Sequence, residues 1–142
     1  MMTTNFIVPI NALATSYTVT DTYKKSIFYK RLESLKLTGD QRRDIVNIAI
    51  TQLGYHEGNS KSDFDGMNYG GTSNYVEYNY ANKKIYSNNN TYSYAWCASF
   101  ITWCARQAGI ETSTVTNSVS CDYFVSDFKS KSRYKTRASG YS

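Results

Sequence analysis

Histidine is almost missing from this 142-residue chain, cysteine is sparse, and long hydrophobic runs are absent. The single histidine is His56, so any Cys–His pair within this sequence must use it. The three cysteines, Cys97, Cys104 and Cys121, offer none of the Cys-x2-Cys pairs of a structural zinc site. No apolar stretch reaches the ~20 residues that a membrane-crossing helix needs. Gly-rich phosphate loops and paired catalytic carboxylates are lacking too, so neither a metal nor a nucleotide cofactor is implied. Strand patterns are scarce: Val125–Phe128 and short runs near Tyr75 and Tyr86 are the best that the chain offers.

Helical patterns are easier to find. Residues from about Tyr23 to Leu37 carry Ile27, Phe28, Leu32 and Leu35 at helical spacing. Thr38 and Gln41 then read as a capping box. The helix that they open is expected to bury Val46, Ala49, Ile50 and Leu53 and to end at Gly54. A third helix, Ala95–Ile110, is strongly apolar and is closed by Gly109. Its first turn holds Cys97. Unpaired backbone N–H groups and the positive end of the helix dipole favour a thiolate there, and the thiolate is the nucleophilic form of cysteine. The same helix also supports a plain structural reading. Cys97, Phe100, Ile101, Cys104 and Ala108 share one face, and free cysteine is often just buried volume.

The run W-C-A-S-F-I-T-W-C-A-R-Q-A-G-I (Trp96–Ile110) resembles the nucleophile helix of CHAP domains, the cysteine, histidine-dependent amidohydrolases/peptidases that cut bacterial peptidoglycan. Leu37–Gly58 (L-T-G-D-Q-R-R-D-I-V-N-I-A-I-T-Q-L-G-Y-H-E-G) and Asn74–Tyr78 (N-Y-V-E-Y) are similar to the region before that helix in secreted Gram-positive relatives. The likeness covers roughly residues 26 to 140. It implies an α+β, papain-like fold of the NlpC type, with Cys97 as nucleophile of a peptidoglycan amidase or endopeptidase in the cell wall or outside the cell. The family's base is a histidine that follows the nucleophile helix, and no histidine follows Cys97 here. Arg137–Ser142 resembles the stretch just before the family's core strands. The expectation is therefore the helical N-terminal half of such a domain, with most of the antiparallel sheet absent and an apolar patch left uncovered.

His56 is then the candidate base, although a position just past Gly54-Tyr55 also suits a polar residue facing solvent. Some 40 residues rich in Asn, Tyr, Gly and Ser, from His56 to Tyr94, read as one wall of a substrate groove, with Asn74, Tyr75, Tyr78 and Trp96 as candidate contacts. Phe6–Ser16 ends in small residues like the tail of a secretory signal, which makes residues 1–22 a leader and 23–142 the domain. Cys121 could pair with Cys104 in an exported protein.

Charge is unevenly placed. The acidic residues all precede Phe128 and balance the basic ones up to Arg106, so the net +5 comes from Lys129, Lys131, Arg133, Lys135 and Arg137. On an extended strand their alternation would form one basic stripe for anionic wall polymers. No nucleic-acid motif accompanies it. The alternative reading of the whole chain is a non-catalytic cell-wall or polyanion-binding domain.

Overall fold

The computed structural model describes residues 17–83, 85 and 93–139. The leader residues 1–16 and the run at Tyr86 lie outside this set. Helices α1 (Asp21–Lys24), α2 (Ile27–Ser34), α3 (Gln41–Thr51), α4 (Glu77–Ala81), α5 (Cys97–Gln107) and α6 (Cys121–Ser130) make up the architecture, with short 3-10 turns at Lys61–Asp63 and Arg137–Ser139. Among the described residues no strand forms. Gly58 and Tyr75 make an isolated antiparallel bridge. The described residues are thus mainly helical, and they contain no sheet of the expected α+β arrangement.

The single helix expected over Tyr23–Leu37 is two. Ser26 interrupts it, because its side chain accepts from Tyr29 N–H at 3.0 Å and caps α2. The break lets Tyr23 and Phe28 both enter the core, while Ile27 stays 45 % exposed. Residues 17–20, assigned to the leader, pack onto the domain. Thr20 donates to the Glu77 carboxylate through its N–H (2.9 Å) and its hydroxyl (2.5 Å).

The capping box at Thr38 and Gln41 does not form. Asp40 is the cap, accepting from Arg42 N–H at 3.0 Å. Gly39, at φ +86°, turns the chain so that Thr38 N–H, Thr38 Oγ1 and Gly39 N–H all donate to Asp44. The buried face of α3 is correspondingly different from the one expected. Asp44, Ile48 and Thr51 point inward, whereas Val46, Ile50 and Leu53 are 55 %, 53 % and 67 % exposed. Polar side chains can turn inward here because each has a partner: Asp44 the loop before α3, Thr51 the carbonyl of Ile48 and the amide of Gln52.

The core is aromatic and is organised around α5. Trp103 is 2 % exposed and lies edge-on to Tyr23 (6.4 Å) and near Tyr78 (4.9 Å). A buried polar hub crosses it: Tyr23 and Tyr78 both donate to Gln52 Oε1, at 2.8 and 3.0 Å. Gly109, at φ +68°, closes α5, and Ile110 N–H reaches Ala105 O at 2.9 Å. The left-handed Gly109 is the ending expected, and the Ile110 bond makes it a Schellman motif.

Val125–Phe128, expected as a strand, lies inside α6. Ser120 caps that helix, and Phe124 and Phe128, one turn apart, stack at 5.8 Å. The basic residues therefore form no stripe. Lys129, in the last turn of α6, holds its ammonium 5.0 Å above the Tyr134 ring, Lys131 pairs with Asp127 at 2.7 Å, and Ser132 at φ +55° reverses the chain. Arg133 donates to Thr114 O, and Lys135 and Arg137 are exposed beyond it.

Candidate active site

Cys97 is the first residue of α5 and is exposed, while the body of the helix is buried through Ala98, Ser99, Thr102, Trp103 and Cys104. The start of α5 is held from three directions. Trp96, at its N-cap, donates its indole N–H to Glu57 Oε2 at 2.9 Å. From the end of α4, Asn82, the residue after the helix, donates its Nδ2 to Ser99 O (2.8 Å) and Ser99 Oγ (2.9 Å), and Ser99 Oγ donates to Tyr78 O (3.1 Å). From the other side, Thr102 Oγ1 donates to Ser118 O and accepts from Ser118 N–H, which fixes the approach to α6.

That approach brings in a residue for which the sequence showed no such role. Cys121, the first residue of α6, places its sulfur 3.3 Å from that of Cys97, across 24 positions of chain. Both thiols are free and exposed. The hydrogen bond to Cys97 pushes the Cys121 thiol up, and the Ala98 N–H draws it partly back. The expected alternative, Cys104 with Cys121, does not occur. Cys104 is 1 % exposed inside the core, and burial pushes its thiol far up.

The ring of His56 lies 4.4 Å from that of Tyr69, and its backbone N–H donates to Gly66 O at 2.9 Å, while the hydrogen-bond partner of the Cys97 sulfur is Cys121. Of the four expected substrate contacts, Tyr78 and Trp96 are ring neighbours at 5.8 Å, and the other two lie on the long connection. Tyr78 is fully buried at 0 % exposure and belongs to the core. Asn74, at φ +57°, accepts from Asn79 Nδ2 through its carbonyl, and Tyr75 bridges to Gly58, so both serve the folding of the long connection. Trp96 remains beside Cys97 and lines an open apolar groove of about 470 Å³ together with Val46, Ile50, Leu53, Phe100 and Ile101. Sequence periodicity assigned Val46, Ile50 and Leu53 to the buried face of α3.

Among the described residues no group of three or more His, Cys, Asp or Glu side chains could hold a metal ion. Among the described residues no helix is long and apolar enough to cross a membrane. No family model, curated protein or solved structure matches the chain.

Proposed function

We propose that the chain is a cysteine hydrolase of the CHAP type directed at peptidoglycan, with Cys97 as its nucleophile. The reading rests on one observation: an exposed thiol at the first position of a helix whose remaining turns are anchored in the core. In the reaction, the Cys97 thiolate attacks an amide carbonyl carbon and backbone N–H groups at the start of α5 stabilise the oxyanion. The C–N bond then breaks as the departing nitrogen takes a proton from solvent, and water cleaves the thioester, releasing the acid and returning the Cys97 thiol. Peptidoglycan as substrate and the cell wall as the place of action follow from the resemblance of Trp96–Ile110 to that family.

A second reading, a non-catalytic wall-binding domain, is favoured by a specific observation. The hydrogen-bond partner of the Cys97 side chain is a second thiol, and the imidazole of His56 is engaged with Tyr69. Incubation with purified peptidoglycan, followed by mass spectrometry of the soluble products, separates the two. Products that disappear in Cys97→Ala support the hydrolase. A folded protein that sediments with insoluble wall material and releases nothing supports the binder.

A further inference from the structure

The Cys97–Cys121 contact is built by the fold and does not come from two flexible side chains meeting by chance. Ser118 is locked to Thr102 of α5 by two hydrogen bonds, one of them from its own N–H at 3.0 Å, and is 4 % exposed. Ser118 Oγ in turn donates to Ser120 O and accepts from Ser120 N–H, both at 3.0 Å. Ser120 is the N-cap of α6, and Cys121 follows it directly. A short polar ladder thus runs from the interior of α5 to the first residue of α6. It sets the two sulfurs 3.3 Å apart at the surface. A disulfide needs ~2.05 Å between the sulfurs, so a modest closure by side-chain rotation is required.

We propose that Cys97 and Cys121 are a reversible dithiol/disulfide pair, oxidised by low-molecular-weight disulfides, and that the oxidised form masks the Cys97 thiol. The chemistry balances in two exchanges. Cys97 loses its proton to solvent and its sulfur attacks one sulfur of the small disulfide. The S–S bond of the reagent breaks, and one small thiolate leaves and takes up a proton. Cys121, deprotonated in turn, attacks the Cys97 sulfur of the mixed disulfide and expels the second small thiolate, which is also protonated. Two protein thiols and one small disulfide become one protein disulfide and two small thiols. Proximity makes the second step intramolecular and therefore fast. Cys104 takes no part, because its sulfur is sealed in the core. Any loss of turnover on oxidation rests on the hydrolase reading. The bond itself does not.

The test uses the full chain with oxidised glutathione, read by intact mass and by peptide mapping without reduction. The expected result is loss of two hydrogens per chain, one Cys97–Cys121 linked peptide, a free Cys104, and full reversal by dithiothreitol. Cys121→Ser should instead keep a stable glutathione adduct on Cys97, and its circular dichroism should match that of the parent. Stable mixed disulfides on the parent chain, a bond that includes Cys104, or linkage only between chains would overturn the proposal. Peptidoglycan turnover, followed in both forms, reports separately on the hydrolase. A chain inactive in both forms that still forms the bond defeats that reading and leaves this one standing.

Discussion

The indole N–H of Trp96 donates to the carboxylate of Glu57 at 2.9 Å, tying the residue before Cys97 to a segment 39 positions earlier. Behind Glu57 lies Gly71, where an added Cβ would come 1.7 Å from the Glu57 carbonyl oxygen. That neighbour is backbone, so it cannot swing aside. Glu57→Ala should cost about 1–2 kcal/mol, the range of a partly exposed hydrogen bond to a charged group. Gly71→Ala should cost more, because the segment carrying Glu57 must shift. Urea unfolding of both variants checks the order, and a Gly71→Ala chain as stable as the parent would contradict the close approach.

Gln52 carries two buried hydroxyls on one oxygen. Gln52→Ala leaves Tyr23 and Tyr78 without that acceptor, at ~1–3 kcal/mol for each stranded group, besides the cavity. Tyr78→Phe removes one donor and leaves Gln52 Oε1 paired with Tyr23, so it should cost only ~1 kcal/mol. A double-mutant cycle should show strong coupling between positions 52 and 78. Additive losses would mean that the hub contributes nothing as a unit.

Glu77 is 1 % exposed, and burial, opposed in part by the hydrogen bonds from Thr20, pushes its carboxyl up to about 7. The folded state therefore holds this proton more tightly than the unfolded state, whose ordinary value is 4.5. Below the lower value both states are protonated and the group costs nothing. Stability then falls as pH rises toward 7, and the full cost persists above it. At about 1.4 kcal/mol per unit this amounts to roughly 3 kcal/mol. Thermal melts between pH 4 and pH 8 should show the decline in the parent and a flatter profile in Glu77→Gln. Equal slopes would remove Glu77 as the cause.

Val46, Ile50 and Leu53 line the open groove beside α5 and are more than half exposed. Leu53→Glu should change stability by no more than ~0.5 kcal/mol, as surface substitutions do. Exposed apolar patches promote association, so the same variant should self-associate less. Unfolding by denaturant together with sedimentation velocity tests both statements. A loss of several kcal/mol would show that Leu53 is covered in solution.

Local patterns made the helices legible. α5 was readable because its apolar periodicity, its terminal cysteine turn and Gly109 all agree, and Gly109 takes the left-handed conformation that its position demanded. Ser26 is hidden as a cap because the apolar spacing from Tyr23 to Leu37 runs straight through it, and Asp40 because Thr38 and Gln41 offer a rival capping pattern. Only the backbone path decides which side chain reaches an N–H. The buried face of α3 was misread for a similar reason. Its apolar residues outnumber the inward ones, yet Asp44 and Thr51 turn inside because partners wait there.

What the chain determined by itself is the placing of a cysteine at the head of an apolar helix, because helix periodicity and end signals depend on neighbours a few positions away. What touches that cysteine was decided only by the tertiary structure. His56 and Cys121 are both far from Cys97 in sequence, and spacing treats them alike. The two hydrogen bonds between Thr102 and Ser118 bring the start of α6 to the site and set Cys121 against Cys97, whereas the ring contact of His56 is with Tyr69. Such contacts join residues distant along the chain, and no periodicity encodes them.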